Sequence, residues 1–134
     1  VGTMSNPDKL NIEANILVVD DEAHIREIMT ELLESEGYSV HSVKNGEEAL
    51  DELTKKHYDL MLLDMRMPLR SGLQVLQAIK EAKNDIPVLV VTGLASKDEM
   101  RKAESLGASK CLCKPFHAKG LLKEVKTILE NYAI

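Results

Sequence analysis

The sequence predicts an α/β fold: a doubly wound parallel sheet with helices packed on both faces. Two patterns and one bulk property carry that expectation. Short apolar runs alternate with amphipathic segments about five times along the 134 residues, and such alternation builds parallel sheets through right-handed crossovers. Three of the runs are continuously apolar, as strands buried on both faces should be. The composition, 44% hydrophobic and 29% charged, suits a globular domain with enough apolar surface to bury a core.

The first strand is read at 15–20 (NILVVD). A helix over 22–36 follows, in which Ile25, Ile28, Met29, Leu32 and Leu33 recur at helical spacing before a stop at Gly37. The second strand, 38–43 (YSVHSV), is mixed in polarity and suits a sheet edge. Asn45 then opens a helix marked by Ala49, Leu50 and Leu53. The third strand is 58–64 (YDLMLLD), and Leu73, Leu76 and Ile79 mark the helix after Ser71. The fourth is 86–92 (IPVLVVT). Ser96-Lys97-Asp98-Glu99 forms a capping box, in which Ser96 bonds the Glu99 amide while Glu99 reaches back, and the helix it starts ends at Gly107. The fifth strand, 109–113 (SKCLC), is mixed and suits the other edge. Leu121, Leu122, Val125, Ile128 and Leu129 give the last helix. Val1-Gly2-Thr3 ahead of Met4 reads as a tag remnant and residues 1–14 as a flexible leader, which leaves 15–134 as one domain.

Bulk properties narrow the function. Only 3% of residues are aromatic and none is Trp, so the core must be Leu, Ile, Val, Ala and Met. A net charge of −5 argues against direct nucleic-acid binding, which needs a basic face. No apolar run reaches the roughly 18 residues of a membrane helix, and the start lacks the basic-then-apolar design of a signal peptide. Cys111 and Cys113 are too close to make a useful staple, so a reducing compartment, the cytoplasm, is expected.

Ligands of open parallel sheets bind outside the carboxyl ends of the strands, near the point where strand order reverses. The first strand ends in Asp20-Asp21, the third in Asp64 and the fourth in Thr92-Gly93, and the fifth runs into Lys114-Pro115. Only the second ends without a reactive group, at Val43-Lys44. Each residue has a plain reading. Asp20 or Asp21 caps the next helix, Asp64 begins a turn, Thr92 is an ordinary strand residue and Lys114 is solvated. Independent turn chemistry would not select this set at these strand ends. Three carboxylates at one rim repel one another, so some stay protonated unless a cation joins them. Mg²⁺ (or Mn²⁺) is the natural guest, satisfied by carboxylates, water, a carbonyl and phosphate oxygens. With Lys114 it would attract a phosphoryl group, and Asp64, alone on a central strand, is the expected nucleophile.

In order, ILVVDDE, LMLLDMRMP, VLVVTG and KCLCKPF resemble the receiver domain of two-component response regulators, over about residues 15–131. The resemblance implies a flavodoxin-like (βα)5 sandwich with strand order 2-1-3-4-5. It implies Asp64 as phosphoacceptor for a histidine kinase or a histidine phosphotransfer protein. Asp21 would ligate Mg²⁺ directly, Asp20 largely through water, and Arg66 by its backbone carbonyl. Thr92 and Lys114 would each bond a phosphoryl oxygen, Gly93 would leave room for the phosphate, and the Lys114–Pro115 peptide would be cis. The chain would then be no turnover enzyme. It would be a stoichiometric acceptor that assists its own phosphorylation and dephosphorylation. Its change of shape would control an output domain or effector through the fourth helix, fifth strand and fifth helix, with a homodimer as one option.

The chain departs from the family pattern at Cys111, three residues before the lysine, where receiver domains usually carry Tyr or Phe. A thiol sweeps less volume than a ring. Coupling is therefore expected to pass through Leu94-Ala95-Ser96 or to be weakened, and Arg66 with Leu94 is expected to shield the phosphoryl group. Other classes fit less well. A metal or redox role for Cys111-x-Cys113 lacks a second ligand pair, and His24, His41, His57 and His117 are scattered without base-orienting partners. A nucleotide binder of this architecture wants a glycine- or hydroxyl-rich phosphate loop, where DDEAH repels phosphate. A haloacid-dehalogenase-type phosphohydrolase wants an acid where Arg66 stands. A degenerate receiver serving only as an interaction module would not need all five site side chains.

Overall fold

Residues 13–93 and 95–132 are described by the structure, a computed structural model. Most of the expected leader, residues 1–12, and Leu94 lie outside the described residues. The elements alternate strictly: β1 (Asn15–Val19), α1 (Ala23–Ser35), β2 (Ser39–Val43), α2 (Gly46–Lys55), β3 (Leu60–Leu63), α3 (Gly72–Glu81), β4 (Val88–Thr92), α4 (Lys97–Ser105), β5 (Lys110–Cys113) and α5 (Ala118–Tyr132). The strands form one parallel sheet in the order β2-β1-β3-β4-β5. The two mixed runs are its edges, as their polarity required. Expected and observed strands differ by one or two residues at their ends, where the chain already turns off the ladder.

Alternation along each strand splits the core into two layers. Leu17, Val19, Met61, Leu63, Val88 and Val90 pack with Ala49 of α2, Val75, Leu76 and Ile79 of α3 and Ala103 of α4. Ile16, Val18, Leu60, Leu62, Leu89 and Val91 pack with Met29 and Leu33 of α1 and with Leu121, Val125, Ile128 and Leu129 of α5. Packing begins at Ala14, which is buried and whose carbonyl accepts the Ser39 amide at 2.9 Å. Cys111 is half-buried against the first layer and Cys113 is exposed; both are free thiols.

Local chemistry sets the helix ends. The Asn45 side chain accepts the Glu48 amide at 2.9 Å to start α2. The Ser96–Glu99 box starts α4, and a second box, Ser71 with Gln74, starts α3. Gly37 and Gly107 close α1 and α4 with φ of 92° and 107°, a region that favours glycine. None of the described helices is long and apolar enough to cross a membrane. His24, His41, His57 and His117 are exposed; His41 lies 3.7 Å from Glu52 and His57 3.2 Å from Asp59.

Candidate functional site

The carboxyl ends of β1 and β3 lie side by side at the reversal of strand order, because Val19 pairs with Leu63. Asp20 and Asp64 are the next residues on. The Asp64 amide donates to the Val19 carbonyl at 3.0 Å and the Asp20 amide to the Val43 carbonyl at 3.2 Å, which pins both backbones. Carboxylate oxygens of Asp20, Asp21 and Asp64 all lie within 4.8 Å of one another. Asp20 is 0% and Asp64 5% exposed, whereas Asp21 stands in solvent.

Lys114, just past β5, reaches into this group. Its Nζ lies 2.7 Å from Asp20 Oδ2, 3.5 Å from Asp64 Oδ2 and 3.6 Å from Glu22 Oε1. Asp20 Oδ1 accepts the Glu22 amide at 2.9 Å, so both Asp20 oxygens are engaged. The N-cap of α1 is Glu22, and Asp20 holds the turn before the helix while also facing the lysine. The Lys114–Pro115 peptide is cis.

Burial, and then the charge of Asp20, hold the Asp64 carboxyl above the ordinary carboxylate range. Lys114 and the Arg66 amide, 3.4 Å from Asp64 Oδ1, pull the other way without cancelling that rise. The Thr92 hydroxyl pulls the same way as Lys114 by proximity, although its geometry falls short of a hydrogen bond. For Lys114 burial lowers the ammonium, but the hydrogen bond and charge of Asp20, with Asp64 and Glu22, outweigh it and leave the group raised. The site thus holds a charged lysine beside a carboxylate that is uncomfortable when ionised.

Thr92 Oγ1 is buried without a hydrogen-bond partner. Such atoms are rare, and each costs on the order of 1–3 kcal/mol. An orphan hydroxyl at this rim marks room for a further oxygen-bearing group. Thr92→Val puts a methyl of similar shape in its place. It is expected to raise the unfolding free energy by about 1 kcal/mol in urea; a loss would mean that the hydroxyl is bonded in the resting fold.

The donor set fits a hard divalent cation. It consists of carboxylate oxygens, one of them from a solvent-exposed residue, with no thiol or imidazole among them. It is the one group of this kind among the described residues.

Three features went unread in the sequence. Gly72 lies against the phosphoacceptor candidate: a Cβ there would stand 2.6 Å from the Asp64 carbonyl oxygen and 2.7 Å from Met65 Cα. The Arg66 side chain pairs with Glu99 of α4 at 3.0 Å, and Arg70 pairs with Glu47 of α2, so the loop after β3 is braced on both sides. Leu69, between them, is 74% exposed with a φ of 70°. By contrast, a Cβ on Gly93 would meet Lys114 at an ordinary 3.8 Å, so the resting fold does not demand glycine there.

Residues 16–126 match the family model described as the response regulator receiver domain. The chain is 36% identical over 117 residues to sporulation initiation phosphotransferase F of Bacillus subtilis, covering 87% of this chain and 91% of that protein. It is 38% identical over 120 residues to response regulator RR06 of Streptococcus pneumoniae, covering 90% of this chain and 55% of that protein, about half its length. A CheY-like response regulator receiver domain protein from Methanospirillum hungatei superposes with a TM-score of 0.85 at 28% identity, over 88% of this chain and 94% of that one. With its strand order, its acidic rim and its lysine all in place, this chain belongs to the response regulator receiver domain family.

Proposed function

We propose that this receiver takes a phosphoryl group onto Asp64 from the phosphohistidine of a histidine kinase or a histidine phosphotransfer protein. The observation that carries the reading is the convergence at one rim of three carboxylates, a half-buried lysine and an orphan hydroxyl. An Asp64 oxygen forms the new bond to phosphorus while the phosphorus–nitrogen bond breaks, and the imidazole keeps that electron pair. Lys114 bonds one phosphoryl oxygen, and Thr92 donates its hydroxyl to another.

Asp21, Asp64 and the Arg66 backbone carbonyl would hold Mg²⁺ (or Mn²⁺) directly. Asp20, whose oxygens are engaged by Lys114 and Glu22, would act through water. A divalent cation bound there supplies the positive charge that lets the acids sit together and a phosphoryl group approach. Each chain accepts one group, so the protein is a stoichiometric acceptor that assists its own phosphorylation and dephosphorylation, not a turnover enzyme.

Phosphorylation adds about −1.5 to −2 units of charge with strong acceptor oxygens. A charge-assisted bond from Thr92, made only in the active form, contributes about 2 kcal/mol. Starting from roughly 10% active, that shift raises the active population to about three quarters. The output surface is α4, β5 and α5, in which Lys110 of β5 pairs with Glu124 of α5 at 2.9 Å. It meets an output domain, an effector or a second copy of the chain. The free thiols Cys111 and Cys113 suit the cytoplasm, and the net charge of −5 suits a protein rather than a nucleic-acid partner.

Acetyl phosphate with Mg²⁺, followed by intact mass, tests the reading. One added phosphoryl group is expected, and chelator should suppress it. No adduct on the wild-type chain with Mg²⁺ present would overturn the proposal.

A further inference from the structure

Arg66 lies two residues past Asp64, and its backbone amide faces Asp64 Oδ1 at 3.4 Å. Its guanidinium Nη2 nevertheless lies 3.0 Å from Glu99 Oε1, 33 residues away on α4. The same Glu99 oxygen accepts the Ser96 amide at 3.0 Å, and the Glu99 amide donates to Ser96 Oγ at 3.1 Å. One carboxylate oxygen therefore serves two tasks. It closes the capping box that starts α4, and it holds a cation belonging to the phosphoacceptor loop. The Ser96 amide, above all, and then Arg66 and the Ser96 hydroxyl outweigh the opposing effect of burial and hold the Glu99 carboxyl below its ordinary range, so it is charged in the resting fold.

We propose that Glu99 is a positioning residue for phosphoryl transfer: it holds the Arg66 guanidinium at the start of α4, and yields it to the phosphoryl group that arrives on Asp64. The assignment rests on Asp64 being the phosphoacceptor. A singly charged, half-solvated carboxylate competes for the guanidinium with a group of nearly twice its charge, and guanidinium binds phosphate oxygens through paired donors. Glu99 needs no replacement partner when Arg66 leaves, because its bonds to Ser96 persist. What is lost is the tie between the loop after β3 and the first turn of α4. That is a route from Asp64 to α4 that bypasses position 111, where the chain carries a thiol in place of a ring.

The test is a double-substitution cycle on the whole chain, following phosphoryl uptake from acetyl phosphate with Mg²⁺. Glu99→Gln keeps the capping box, which Gln also completes, but gives up the charge. It is expected to speed uptake about threefold, the scale of an exposed ion pair. In an Arg66→Gln background the same change should have no effect on the rate, because the cation it releases is gone. High salt should shrink the threefold difference, since the pair is solvent-exposed and therefore screened. A purely structural role in α4 predicts instead the same change in both backgrounds. That outcome, or wild-type uptake with an unaltered rate in Glu99→Gln, overturns the positioning role while leaving Asp64 as acceptor. Absence of uptake by the wild-type chain overturns both.

Discussion

Asp64→Asn is expected to lose all phosphoryl uptake and to gain stability. The first effect is chemical, since an amide cannot present the attacking oxygen. The second follows from where the carboxylate sits. Asp64 is almost fully buried, faces Asp20, and has its proton held more tightly in the folded chain than in the unfolded one. A carboxyl with a raised folded pKa adds stability below its ordinary unfolded value, near pH 3.9. That stability is lost as pH rises through the folded value. At neutral pH the wild-type chain therefore carries an ionised, repelled carboxylate that the asparagine variant lacks. Lys114 keeps its 2.7 Å bond to Asp20 in either case. A gain of about 1 kcal/mol, or about 4 °C in the unfolding midpoint at this chain length, is expected at pH 7 in chelator. The difference should be small near pH 4 and should widen toward neutrality. Added Mg²⁺ should narrow it again at pH 7, because a cation that binds only the folded wild-type site stabilises it by mass action. Melting both proteins across this range checks the sign; a difference independent of pH, or an asparagine variant less stable than wild type, would contradict it.

Much of this site was legible because each part depends on local sequence. Continuous apolar runs gave the buried strands β1, β3 and β4 and mixed ones the edges β2 and β5, while the strand order that puts Asp20, Asp21 and Asp64 at one rim came from the family resemblance and not from local pattern. The Ser96 box was readable because its members lie three residues apart. The unread parts depend on how distant segments approach. Arg66 and Glu99 meet only after α4 packs beside the loop that follows β3. The sequence sets Arg66 beside the phosphoryl group, but nothing in either local stretch pairs its side chain with Glu99. The sequence marks Ser71 as a helix start but not Gln74 as its partner, and the box they form fixes the turn that brings Gly72 under Asp64. The orphan state of Thr92 is likewise a property of the packed rim and not of the strand.

Gly72→Ala should produce the largest loss of stability of any single-methyl change at the site. Propensity alone argues the other way, since Ala is favoured over Gly within a helix by up to about 1 kcal/mol. Contact geometry decides the sign. The added Cβ would stand 2.6 Å from the Asp64 carbonyl oxygen, 2.7 Å from Met65 Cα and 3.1 Å from Met65 Sδ. The first two are backbone atoms, so no side chain can rotate away to admit the methyl. Either the start of α3 must retreat, breaking the 2.9 Å bond from the Gly72 amide to the Met65 carbonyl, or the segment carrying Asp64 must move. Over-packing of this kind costs about 1–3 kcal/mol and more where backbone is displaced, so a net loss of about 2–3 kcal/mol is expected. Uptake of phosphate should also slow by at least about tenfold, because reacting groups displaced by an ångström lose that much or more. Gly120→Ala provides the opposite case. Its Cβ would meet nothing within 4 Å in α5, so a gain of up to about 0.5 kcal/mol with unchanged uptake is expected. Urea unfolding and uptake rates measured on both variants separate packing from propensity. A Gly72→Ala chain as stable as wild type would show that the Asp64 backbone gives way freely, and the rigid placement of the acceptor would then have to come from its bond to Val19 alone.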